Sequence, residues 1–125
     1  MVKTITIGSK EYNLKSSAFT MFSYKNQTGR DFLQDINSLN DKVKEINKLP
    51  KEEQNSAWLN EFSSIMEIAL KITHIMITEQ DRTFKSYDEW LKELDNLMGE
   101  GNSWLQEVLE VGIAPFFGRI QNSQN

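Results

Sequence analysis

The sequence predicts a mainly α (α+β) fold, a short N-terminal β-hairpin followed by about five helices. Three observations carry this. The opening Val2-Lys-Thr-Ile-Thr-Ile-Gly-Ser-Lys-Glu-Tyr-Asn-Leu14 alternates apolar and polar residues about a glycine turn, the pattern of half-buried strands. From Ser17 onward apolar residues recur at three- and four-residue steps, the period of an amphipathic helix. Those stretches are punctuated by Gly29, Pro50, Gly99 and Gly101, residue types that end helices. At 125 residues the chain is expected to be a single domain, 1–125, with a hairpin over 1–15, a helical body over 17–120 and a disordered tail over 121–125.

In the hairpin, Val2, Ile5 and Ile7 are β-formers, and Gly8-Ser9-Lys10 supplies turn chemistry because glycine takes positive φ without a Cβ clash. The first helix is expected over Ser17–Thr28. Ser16 or Ser17 caps it, Ala18, Met21, Phe22 and Lys25 follow helical spacing with Phe19 and Tyr24 alongside, and Gly29 ends it. The second starts near Arg30 or Asp31. Phe32, Ile36, Leu39, Val43 and Ile46 form a narrow apolar seam, and Leu49-Pro50 closes it.

Lys51–Ser56 reads as a polar connector or as the first turn of the third and longest helix, which runs to about Thr78. Its face is Trp58, Phe62, Ile65, Met66, Ala69, Ile72 and Met76, widened by Leu59, Leu70, Ile75 and Ile77; near Leu70–Ile77 it is apolar almost all round, which predicts a central position. After the polar break Glu79–Lys85, Ser86-Tyr-Asp-Glu89 fits a capping box, and Tyr87, Trp90, Leu91, Leu94, Leu97 and Met98 make the stripe of a fourth helix. Gly99-Glu100-Gly101 stops it, and Asn102 or Ser103 caps a fifth. Gly112 and Pro115 predict a bend or break in that last helix.

Composition removes several function classes. With no cysteine there is no disulfide, thiolate nucleophile or cysteine-based metal site. The net charge of -4, and the interleaving of Asp41 and Glu45 with Lys42, Lys44 and Lys48, argue against a phosphate track. Met-Val-Lys-Thr-Ile-Thr is not a basic stretch followed by an apolar one, and no apolar run reaches the ~20 residues of a membrane span, so a cytoplasmic protein is expected.

The residues give no catalytic constellation. His74 is the one histidine, set in the most apolar stretch, and is expected to be buried or half-buried and satisfied by a backbone or hydroxyl group. Glu79, Asp81, Asp88, Glu89, Glu93 and Asp95 are expected on solvated faces. Gly99-x-Gly101 lacks the strand, third glycine and lysine of a phosphate loop. No enzyme activity, metal or cofactor is expected. What remains is an aromatic surplus: Trp58, Trp90, Trp104, Phe116 and Phe117 read either as core or as a protein-binding face. The candidate partner-binding residues are Trp104, Val108, Ile113, Phe116, Phe117 and Ile120, centred on Ile113–Ile120 beyond the expected break.

Three stretches carry a family resemblance: Thr4-Ile-Thr-Ile-Gly-Ser-Lys-Glu-Tyr-Asn-Leu14 leading into a helix; Ile77-Thr-Glu-Gln-Asp-Arg-Thr-Phe-Lys-Ser-Tyr-Asp-Glu-Trp-Leu91, with its polar break and helix start; and Trp104-Leu-Gln-Glu-Val-Leu-Glu-Val111 continuing to Phe116-Phe117. In their order the chain resembles the tail assembly chaperones of long-tailed bacteriophages and prophages of Gram-positive bacteria. The resemblance implies a non-enzymatic protein of the host cytoplasm that binds the long helical tape-measure protein, covers its apolar surface until tail-tube protein polymerises around it, and often self-associates. It implies no nucleic-acid or membrane partner and carries over no fixed catalytic residues. The alternative reading is a small helical nucleic-acid-binding or regulatory protein of a phage or mobile element, whose mark would be a basic helix face.

Overall fold

A computed structural model describes residues 2–98 and 103–117. They form a hairpin and five helices: β1 Val2–Ile7, β2 Lys10–Lys15, α1 Ala18–Thr28, α2 Phe32–Asn47, α3 Lys51–Gln80, α4 Tyr87–Glu93 and α5 Ser103–Phe117. The expected fold class is the observed one. The tail 121–125, the Gly99-Glu100-Gly101 stop and Asn102 lie outside the described residues.

β1 and β2 pair antiparallel with Ile7 opposite Lys10 and Val2 opposite Lys15. Gly8 takes φ 63° and Ser9 does not go positive, the pattern of a type II′ turn. Alternation puts Ile5, Ile7, Tyr12 and Leu14 on one buried face. That face lies on helices: β2 on α3, and β1 on α5.

Ser17, not Ser16, caps α1. Its hydroxyl accepts from the Phe19 N–H at 3.2 Å, and the Thr20 hydroxyl accepts the Ser17 N–H at 2.9 Å. Gly29 ends the helix at φ 76°. Asp31 caps α2, accepting from Gln34 N–H at 2.9 Å. All five seam residues of α2 are buried.

Lys51–Ser56 proves to be helical. α3 begins directly after Pro50 and runs for 30 residues, about 45 Å at 1.5 Å per residue. The six residues Ile72–Ile77 are all buried, and α3 as a whole contacts the hairpin, α1, α2 and α5.

Two expectations are corrected. The fourth helix stops at Glu93, and Leu94, Leu97 and Met98 are not on it. Leu94 is extended and Asn96 takes φ 52° because the chain must turn to lay Asp95 over the hairpin turn. There a Cβ on Gly8 would come 2.6 Å from the Asp95 carbonyl oxygen. At the start of α4 the Ser86 hydroxyl accepts from Glu89 N–H, but the Glu89 carboxylate lies 3.8 Å from Lys92 instead of completing the box.

The second correction is to the expected break in α5, which is continuous through Gly112 and Pro115. Proline lacks the N–H that would reach the Val111 carbonyl four residues back. Ser16 supplies the missing donor, its hydroxyl lying 2.6 Å from that oxygen. Gly112 serves close approach: a Cβ there would lie 2.9 Å from Ile36 Cδ1 and 3.3 Å from Phe32 Cζ. Of the two residues expected to break the helix, Gly112 is the one that lets it seat against α2.

Candidate functional site

Between α2 and α5, on both sides of Gly112, lies a groove of about 530 Å³. From α2 it is lined by Leu33, Ile36, Asn37, Asn40 and Lys44, and from α5 by Gln106, Leu109, Glu110, Ile113 and Phe117. Both sets follow helical three- and four-residue steps, so two parallel stripes form its walls. Leu33, Ile36, Leu109 and Ile113 make an apolar floor; exposed Lys44 of α2 and half-buried Glu110 of α5 are the charged residues of the lining. The Phe116 ring lies 6.2 Å from Phe32, which in turn meets Tyr24 edge-on at 5.6 Å. That stack holds the end of α5 and leaves Phe117 on the rim, 60% exposed.

The expected partner-binding residues therefore divide. Ile113 and Phe117 line the groove, and Phe116 is half-buried against Phe32 beside it. Trp104 and Val108 are corrected to core positions. Val108 is wholly buried, and Trp104 is buried with its indole N–H donating to the Leu97 carbonyl at 3.0 Å, which ties the 94–98 segment to α5. Ile120 lies outside the described residues. Trp58 and Trp90 are core as well.

The sequence reading passed over two exposed aromatics. Phe19 and Phe22 of α1 point to solvent, while Thr20 and Tyr24 turn inward. The Tyr24 hydroxyl donates to Asp35 at 2.6 Å, and Thr20 donates to Glu79 at 2.5 Å. Glu79 also accepts from Ser17. A hint was present: a threonine and a tyrosine share one face while acidic residues wait on the neighbouring helices. Their pairing, however, spans 59 and 11 residues and is invisible to local periodicity.

The carboxylates are less solvated than expected. Glu93 accepts from Tyr12 at 2.7 Å and from Lys85, clamping α4 to the hairpin; these hydrogen bonds, Lys85 first, hold its carboxyl below the usual range. Burial alone would raise the Asp35 pKa, but Arg30, bidentate at 2.6 and 2.9 Å, and Tyr24 more than offset this and lower it.

His74 is buried as expected and is satisfied at Nε2, which donates to the Lys85 carbonyl at 2.9 Å. Burial chiefly, aided by the Lys71 charge, lowers its pKa against the pull of that carbonyl, so it is neutral near pH 7. Its ring sits among Phe84, Tyr87 and Trp90, and its Nδ1 has no partner among the described residues. Among the described residues no group of three His, Asp or Glu side chains is placed to hold a metal ion, and no helix is long and apolar enough to cross a membrane.

A second, polar cleft of about 520 Å³ lies between α1, α2 and α3. Its cations are engaged: Arg30 with Asp35, Lys42 with Glu61 at 3.2 Å, and Lys71 over the Tyr87 ring at 4.5 Å. No protein-family model, no curated protein and no solved structure matches the chain.

Proposed function

We propose that this protein is a tail assembly chaperone of the long-tailed bacteriophage type. In this reading its α2–α5 groove takes an apolar helical stretch of the tape-measure protein, without chemistry, in the host cytoplasm. The stretch stays covered until tail-tube protein assembles around it. The observation that carries the reading is the groove itself: an apolar floor between two helices with a polar rim, the form that receives an amphipathic helix. Leu33 to Lys44 extends about 16 Å along α2, room for about three turns of a bound helix. Exposed Phe117 at its edge is the kind of large ring that anchors such contacts. The three sequence stretches that resemble the family support the same reading. The nucleic-acid alternative needs a free basic stripe, and the cations of the polar cleft are already paired.

The test is co-expression with a helical fragment of a tape-measure protein from a long-tailed phage, followed by affinity capture. The wild-type chain should retain the fragment through a wash at moderate salt. Phe117→Ser, which removes an exposed ring, should release it while leaving the circular dichroism melt unchanged. Retention by Phe117→Ser and also by Ile113→Glu would remove the groove from consideration.

A further inference from the structure

Side chains hold α4 and the residues before it to the molecule. Among the described residues, no other helix or strand packs its backbone closely along α4. The Lys85 carbonyl accepts from His74 Nε2 at 2.9 Å. Phe84, Tyr87 and Trp90 rest their rings on His74, with centroids 5.9, 5.4 and 5.6 Å away, and Tyr12 of β2 meets Phe84 and Trp90 edge-on. At the far end Glu93 accepts from Tyr12 at 2.7 Å and from Lys85.

His74 belongs to the buried run of α3, but its cover does not. Each aromatic ring packed on it, and the carbonyl it donates to, lies in 84–90. Water can therefore reach the imidazole when that one segment lifts, with α2 and α5 in place.

A positive charge on this ring has little to meet. On α3, Lys71 is a cation whose ammonium lies 4.5 Å over the Tyr87 ring. On α4, the Tyr87 hydroxyl is kept protonated by burial first, then by Glu67 and Asp88. Tyr12 of β2 and Lys85 are turned to Glu93, and Lys10 of β2 lies 3.8 Å from the same carboxylate. Of these charges Lys71 bears on His74, and it repels a second cation. Nδ1 has no acceptor among the described residues. Lifting 84–90 hydrates the charge without unfolding the rest. Lys85 first, and then Tyr12, keep the Glu93 carboxyl below the usual range, so it stays ionised at pH 5 and its end stays fastened.

We propose that 84–90 is an acid-opened strap: a proton taken up at His74 lifts it from α3 about the Glu93 anchor, uncovering the His74, Tyr12 and Trp90 rings while the remaining fold holds. The strap includes no residue of the α2–α5 groove and does not rest on the chaperone reading. A hydrated histidine titrates near about 6.5, so at pH 5 the opened form gains up to about 25-fold over its level at pH 7.

The experiment is native-state hydrogen exchange on the full chain at several low urea concentrations. The Trp90 amide, which donates to the Ser86 carbonyl at 2.9 Å, and its neighbour Leu91 report on the strap; Leu39 of α2 and Val108 of α5 report on the body. The strap amides should exchange through an opening that urea scarcely promotes, and the body amides only through urea-sensitive unfolding. Corrected for the chemical exchange rate, the strap opening should grow up to about 25-fold between pH 7 and pH 5, beginning near about pH 6.5. His74→Gln, whose amide can still donate to the Lys85 carbonyl, should remove that growth. Four results each overturn the proposal: a shared urea dependence of strap and body, a strap opening that ignores pH, growth that begins only below about pH 5, where carboxylates titrate, and growth that persists in His74→Gln. The first three are read on the wild-type chain and need no variant.

Discussion

The hydroxyl of Ser16 donates to the carbonyl of Val111 at 2.6 Å, and that carbonyl is the one Pro115 leaves without its helical N–H. A residue at the hairpin–helix junction thus completes a hydrogen-bond ladder 95 positions away. Both groups are buried, so removing the hydroxyl strands a carbonyl out of water. Ser16→Ala should cost about 1–3 kcal/mol in denaturant unfolding. Pro115→Ala restores a backbone donor, and in that background Ser16→Ala should cost clearly less. Equal costs in the two backgrounds would show that Ser16 acts elsewhere.

Tyr24 and Asp35 lock α1 to α2 in the same manner. Tyr24→Phe keeps the ring against Phe32 and deletes a hydrogen bond to a carboxylate, so a loss of about 1–2 kcal/mol is expected. The Asp35 pKa is lowered in the fold, so its contribution is full above the unfolded value near about 4 and disappears as pH falls through the folded value. Between pH 5 and pH 2, the wild type should therefore lose more stability than Asp35→Asn.

His74 governs the range just above. Its folded pKa is lowered, so the unfolded chain takes up a proton first as pH drops below about 6.5. Stability should be highest above that value and should decline toward pH 5 by at most about 1.4 kcal/mol per pH unit. The cause is a ring whose Nδ1, once protonated, would face buried aromatics and the Lys71 charge with no acceptor among the described residues. As the sole histidine, it should account for most of that slope. His74→Gln should flatten urea midpoints measured from pH 7 to pH 5, and a slope that survives the substitution would assign it to other groups.

Gly8 should tolerate nothing larger. Its φ of 63° disfavours any side chain, and its would-be Cβ meets the backbone oxygen of Asp95 at 2.6 Å, which cannot swing aside as a side chain can. Gly8→Ala should cost about 2–4 kcal/mol by strain and clash together. Gly112→Ala is the contrast. The obstructing atom is the far end of Ile36, and replacing a helical glycine returns about 1 kcal/mol, so the two effects nearly cancel. Thermal melts of the two variants should separate them plainly.

Local signals made much of this fold legible. Gly29 and Pro50 punctuate the helices where expected, and Phe32, Ile36, Leu39, Val43 and Ile46 are buried as their spacing requires. What escaped were contacts between distant residues. Phe19 and Phe22 face water because Glu79 and Asp35 offer hydrogen bonds to the opposite face of α1. The fourth helix ends early, and the chain after it lays Asp95 against the hairpin turn at Gly8. Pro115 does not break α5 because Ser16 supplies a donor. Of the candidate site, Ile113 and Phe117 were legible as bulky residues near the chain's end, whereas the facing wall of α2 was not. Leu33 and Asn37 lie outside the apolar seam, and only docking of α5 makes them a wall.

Because β1 rests on α5 and Tyr12 is held by Glu93, the hairpin gains these neighbours only after the helices between them have been made. Contacts of such sequence separation slow folding relative to a purely local helical bundle. During synthesis β1 therefore waits for its helical support until α5 emerges. A chain cut short before α5 would leave β1 without its helical support while β2 kept α3, and the uncovered apolar surface would invite proteolysis.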